Sequence, residues 1–195
     1  MNVFMLDHDP LLAAKYHCDK HVVKMIVETA QMLSTAWHEL DNGNYQPLDT
    51  AANTPWLRLH CLPSTTGREQ PPVSRKAGEQ ASAWWMLHEQ RVYARTHPQH
   101  PSALWVQALG GNYTWAWRLG MGLADEYRRR FGRTHATEAV LWALEPVPYT
   151  LLDTAGEWSE APPVMPEECK VQVKGYYDSV ASYRNYYLTA KADLL

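Results

Sequence analysis

The sequence predicts a mainly α fold, a compact single-domain helical bundle, and three observations predict it. Apolar residues recur at helical spacing through several long windows. Helix-entry and helix-exit residues bracket those windows, with Asp9-Pro10, Asp19, Ser102 and Thr134 at the starts and Gly132 and Pro146 at the ends. The chain has 195 residues, of which 46% are apolar, enough for one real core over residues 1–195.

Asn2 to Leu6 is a short apolar run, suited to a small strand or an extended lead-in. Asp9 before Pro10 reads as an N-cap with proline at the first helical position, and predicts a short helix to about Tyr16. Asp19 leads into a long helix reaching about Glu39, ended by the turn residues Asp41-Asn42-Gly43-Asn44. Residues 44–80 form a long excursion punctuated by proline and glycine, with a helix again over Glu79 to Arg95. Ser102 predicts the cap of a helix to about Leu109, broken by Gly110-Gly111. Asn112 starts a long helix to Phe131, with Gly132 as its exit and Arg128, Arg129 and Arg130 in a last turn that favours positive charge. Thr134 caps a helix from His135 to Leu144. A proline-rich linker over 157–169 leads to a final helix, about Lys170 to Asp193. Little or no sheet is expected.

The aromatic set is unusual, with nine Trp and eleven Tyr against two Phe. These side chains carry a polar tip on a flat apolar body and suit half-buried walls and stacking surfaces. They also suit a tryptophan-rich core. The net charge of −3 provides no general attraction for nucleic acid, so any such binding is local. Cys18, Cys61 and Cys169 are odd in number and lack CxxC spacing, which points to a reducing, cytoplasmic setting. The opening MNVFMLDHD lacks the pattern of a signal peptide, and no run of 18 apolar residues predicts a membrane span.

Three groups of residues carry candidate chemistry. At about 100° per residue, His17, His21, Lys24, Glu28, Gln31 and Thr35 share one helix face, opposite Val22, Ile26, Leu33 and Trp37. A solvated face reads the same way. The functional reading separates roles: Glu28 as general acid or base, Lys24 or Lys20 as nucleophilic amine or phosphate clamp, and His17 with His21 beside them. Two imidazoles at i, i+4 are also able to share a metal ion, with His100 or His135 as a third ligand. No HExxH is present; no cofactor is expected, and a divalent metal is the alternative.

The second group runs HPSALWVQALGGNYTWAWRLGMGLADEYRRRFGRTH from His100. Asn112 and Trp115 lie near one another on its long helix. Glu126 and Arg130 are spaced for an ion pair, worth only about a few tenths of a kcal/mol if exposed. His135 stands at a helix start, where backbone N–H groups attract anions. The third group is the tail GYYDSVASYRNYYLTAK, where Tyr183 and Arg184 sit among rings suited to stacking on bases or to packing on the core.

Together, MNVFMLDHDPLLAAKYHCDKHVVKMIVETAQMLSTA, the NYTW…DEYRRRFGRTH block and SYRNYYLTAKA resemble a family of small proteins of tailed phages and large DNA viruses. The resemblance covers about two thirds of the chain, and residues 62–95 stand outside it as an insertion. The layout is also similar, more distantly, to the phage pyrimidine-dimer DNA glycosylases of the endonuclease V type. That likeness implies a compact α-helical enzyme with an active site near its N-terminus and a catalytic glutamate, here Glu28, on its first long helix. Those enzymes attack the sugar C1′ with the α-amine of a small residue exposed by loss of Met. Residue 2 here is Asn, so the implied amine is a lysine such as Lys20 or Lys24, or the attacking group is water.

The expectation is therefore a DNA-acting enzyme working on an unstacked base. Glu28, Lys24, His21 and His17 would be catalytic, and Lys20, Gln31, Asn112, Trp115, Arg130, His135, Tyr183 and Arg184 would contact DNA. The reaction is base excision, or else group transfer in thymine hypermodification. A metal-dependent hydrolase and a non-catalytic nucleic-acid- or protein-binding module are the other readings.

Overall fold

A computed structural model describes residues 1–41 and 92–194 of the chain. The described residues are mainly helical, as the periodicity predicts. The proline-rich excursion over 44–80 and residues 62–91 of the expected insertion lie outside them.

Helix α1 spans Pro10–Tyr16, and the Asp9 carboxylate caps it by accepting from the N–H groups of Leu11 and Leu12. His17 has extended backbone, and its N–H closes α1 on the Ala14 carbonyl. It therefore sits in the bend before the long helix, one step short of the face expected for it. Helix α2, Asp19–Leu40, buries Val22, Met25, Ile26, Leu33 and Trp37.

Helix α3 spans Pro101–Ala108. Its cap is the His100 imidazole, whose Nδ1 accepts from the Ser102 N–H, whereas Ser102 was the expected cap. Helix α4, Gly110–Phe131, begins at the glycines expected to precede it. They are needed there: a Cβ on Gly111 would lie 2.1 Å from the Glu157 carbonyl oxygen, which accepts from the Gly111 N–H. Gly132 ends α4 in the left-handed region at φ +66°, donating to the Arg128 carbonyl. Helix α5 is Glu138–Ala143, shorter than expected because residues 135–137 turn before it.

The C-terminal region differs most from expectation. Instead of one helix from Lys170, strands β1 (Val171–Val173) and β2 (Tyr176–Asp178) form an antiparallel hairpin. Lys174 and Gly175 both have positive φ, +51° and +85°, the backbone twist that a two-residue hairpin turn requires. Asp178 then caps helix α6, Ser179–Leu188, by accepting from the Ala181 N–H.

The core forms where α2 crosses α4, flanked by α1, α3 and α5. Two large side chains inside it, Trp37 and Tyr113, pair their polar tips. Trp37 Nε1 donates to the Tyr113 hydroxyl at 2.9 Å, and that hydroxyl donates to the Leu144 carbonyl. The 157–169 stretch is an anchored strap. Ser159 receives Nε1 of Trp105, and its backbone N–H donates to Asn112. Residues 3–6 are a buried lead-in between α2 and α6, tightened by bonds from the Met5 and Leu6 N–H groups to the Val3 and Phe4 carbonyls. Among the described residues, no helix is long and apolar enough to cross a membrane.

Candidate functional site

The helical face expected to be polar is roofed over by residues 2–6 and by α6. Asn2 lies beside Glu28, Phe4 stacks on His21 with ring centroids 4.6 Å apart, and Tyr187 packs edge-on against the same imidazole at 5.2 Å. Tyr183 and Tyr186 complete the aromatic wall around Phe4. The α6 rings reach this wall because Tyr183 and Tyr187 are one helical turn apart.

The two imidazoles differ in environment. His17 is 2% exposed. Its Nδ1–H donates to the Ala13 carbonyl at 2.7 Å, which leaves Nε2 as the bare nitrogen, buried and without a hydrogen bond. Burial holds its pKa down to about 4, helped by the charges of His21 and Arg130 and opposed by the Ala13 hydrogen bond. His21 Nδ1 lies 2.5 Å from the Tyr187 hydroxyl. Its pKa is also lowered, first by burial and then by the charges of Lys191 and Lys24, with Glu28 opposing. Burial raises the Tyr187 phenol far above its usual value, so this hydroxyl keeps its proton.

One turn further along α2, Lys24 Nζ is 2.9 Å from Glu28 Oε1. The lysine side chain is 66% exposed and the glutamate only 12%. The second carboxylate oxygen accepts from the Asn2 N–H at 3.0 Å and lies 3.6 Å from the Met1 amino nitrogen. Glu28 is thus a sheltered carboxylate held by backbone and by two amines, one of them facing solvent.

Below His21 a cleft of about 400 Å³ opens between α1 and α6, lined by Leu6, Tyr16, Arg184, Tyr187 and Leu188. The Arg184 guanidinium lies over the Tyr16 ring at 5.6 Å. It donates from Nε to the Leu6 carbonyl and from Nη2 to Asp7.

Comparison with family models, with curated proteins and with solved structures finds no match to this chain. The site's chemistry therefore rests on its own geometry.

The structure brings together His17, His21, Lys24, Glu28, Tyr183 and Arg184 from the residues singled out in the sequence. Lys20 is exposed and Gln31 half-buried on the same helix. Arg130 joins the cluster from α4 as a brace. Its guanidinium donates to the carbonyls of Lys15 and His17, to Asp19 and to Glu126. Glu126 is 5% exposed, so this pair is more sheltered than the surface pair its spacing suggested.

Asn112, Trp115 and His135 stand apart from the cluster. Asn112 is buried and clamps Trp105 and Ser159. Trp115 is buried and donates to the His8 carbonyl. His135 accepts from the Thr137 N–H through Nδ1 and packs edge-on against Tyr127. Burial lowers its pKa, as does Arg133. Among the described residues, no group of three side chains is arranged to hold a metal ion.

Sequence reasoning passed over Phe4, Tyr187 and Lys191 as site residues. Lys191 Nζ lies over the Tyr186 ring at 5.3 Å and adds positive charge beside His21. The i, i+4 spacing of Tyr183 and Tyr187 was the available signal, because it puts two rings on one edge of α6.

Proposed function

We propose that this chain is an enzyme acting on a base of DNA, and that its reaction is base excision through a lysine amine. The observation that carries the reading is the Lys24–Glu28 pair, an exposed amine 2.9 Å from a sheltered carboxylate. An ion pair this exposed contributes little to stability, so its value lies in what it positions. The buried rings of Phe4 and Tyr187 pack on His21 one turn before it.

The chemistry follows from the two groups. A lysine attacks only after losing a proton, and Glu28 is the acceptor within reach. The free amine forms a bond to C1′ of an unstacked nucleotide as the bond from C1′ to the base breaks. The electron pair leaves with the base, which takes up the proton Glu28 removed. The sugar ring then opens to an imine on Lys24, which water hydrolyses. A flipped nucleotide is required, because C1′ is out of reach of a protein amine within a stacked duplex. Contact with DNA is local, in keeping with a net charge of −3. The DNA partner and a cytoplasmic setting, in a bacterium or an infected host cell, belong to this proposal.

The test is to incubate the protein with modified and unmodified DNA, with and without borohydride. Nucleoside masses and the mass of the protein are then read. The proposal expects loss of a base and, with borohydride, a covalent DNA adduct on the Lys24 peptide. Lys24→Ala and Glu28→Gln should each abolish the adduct while the fold is retained. Addition of a group to a base, without an adduct, would replace excision by transfer. Unchanged nucleosides and no adduct would leave a binding module.

A further inference from the structure

We propose that the cleft between α1 and α6 is a nucleotide-binding subsite that seats one planar base against Tyr16, Arg184 and Leu188. The inference shares the nucleic-acid partner of the proposal above but none of its chemistry.

The lining points to a ligand with a ring. Tyr16 is an aromatic side chain on a soluble surface with 52% of its area exposed, and Leu188 beside it is 70% exposed. Leu6 and the Tyr187 ring close the inner side. A volume of about 400 Å³ lies within the range of small-molecule sites, roughly 300–1,000 Å³. Such a cleft offers aromatic and aliphatic surface together, the kind of surface on which a base stacks.

The polar groups narrow the class further. Arg184 is the cation that lines the cleft, and it is held in place before any ligand arrives. Nε is tied to the Leu6 carbonyl and Nη2 to Asp7, and the guanidinium plane rests over Tyr16. The Nη1 donors take no bond from the described residues, and they present N–H groups in a fixed plane. They suit an acceptor oxygen of a base edge or of its phosphate. Asp7 offsets the arginine charge, so a bare anion gains little here. The ligand therefore needs the ring as well as the oxygen. Tyr187 links this cleft to the buried cluster, since its ring lines the one and its hydroxyl bonds His21 in the other.

The experiment is a binding titration with four probes: thymidine 5′-monophosphate, deoxyadenosine 5′-monophosphate, deoxyribose 5-phosphate and a four-residue oligothymidylate. Tyr16→Ala and Leu188→Trp are the test variants, because both side chains are exposed and their replacement spares the core. The proposal expects both mononucleotides to bind and deoxyribose 5-phosphate to bind at least tenfold more weakly. Tyr16→Ala should weaken the mononucleotides by about tenfold, in line with a lost stacking contact. Leu188→Trp, which fills the slot, should weaken them as well. Binding of the oligonucleotide with the same dependence on Tyr16 would make a DNA strand the source. Binding of mononucleotides alone would make it a free nucleotide.

Equal binding of the base-free phosphate, unchanged affinity in both variants, or no binding of any probe at millimolar concentration would each overturn the subsite. Lys24→Ala and Glu28→Gln should leave these affinities unchanged. Failure of the excision chemistry is thereby separated from failure of the cleft.

Discussion

The Tyr187 hydroxyl and Nδ1 of His21 meet at hydrogen-bond distance across 166 residues of chain. Each is buried, and each is the partner that the other's burial requires. Tyr187→Phe keeps the ring and removes the hydroxyl. It should cost about 1–2 kcal/mol by leaving His21 Nδ1 unsatisfied. Denaturant unfolding at pH 7 measures this; a loss below about 0.3 kcal/mol would mean the pair contributes nothing to folding.

His17 makes stability depend on pH. Its folded pKa is about 4, below the ordinary 6.5, so between those values the unfolded chain binds the proton and the folded chain does not. The stabilisation from the neutral imidazole is complete above about pH 6.5 and disappears as pH falls towards 4. The full effect is on the order of 3 kcal/mol. Urea unfolding at pH 7, 5.5 and 4.5 should show this decline, and His17→Leu should flatten it over that window. An unchanged slope in the variant would assign the acid sensitivity to other groups.

Arg130 joins four partners with one planar fork: two carbonyls at the end of α1, Asp19 and the buried Glu126. Arg130→Lys keeps the charge and loses the fork. A single ammonium cannot reach all four, so a loss of about 1–3 kcal/mol is expected. Hydrogen exchange should quicken at α1 and at the start of α2 before it quickens in α4. Uniform change across the three helices would contradict the local role.

Much of the fold was legible because its signals are local. Asp9-Pro10 gave one helix start, Gly132 one helix end, and the α2 periodicity placed Val22, Ile26, Leu33 and Trp37 inward. The hairpin was hidden because Tyr176, Val180, Tyr183 and Tyr187 also fit a helical stripe. Its own marks were the Val-Gln-Val alternation and Gly175. The site was half legible. The sequence lined up His17, His21, Lys24 and Glu28, but the roof of Phe4 and Tyr187 is a tertiary contact with no local mark. For the same reason Asn112 and Trp115 read as DNA contacts, although Asn112 is tied to Ser159 of the strap and Trp115 to the His8 carbonyl.

That strap supplies a further prediction. In Gly111→Ala the new Cβ would meet the Glu157 carbonyl, a backbone group that cannot swing aside. A cost of about 1–3 kcal/mol is expected. Protease cleavage near 155–160 should rise ahead of global unfolding. If the variant matches the parent in both, the strap is not fastened at Gly111.

Phe4 and Tyr187 enclose His21 from stretches more than 180 positions apart. A ribosome must therefore deliver the residues through Tyr187 before this enclosure closes, and His17 and His21 wait uncovered until then. Distant partners of this kind close slowly compared with neighbouring helices. A chain cut short before Tyr183 would keep its long helices yet never acquire the sheltered imidazole pair.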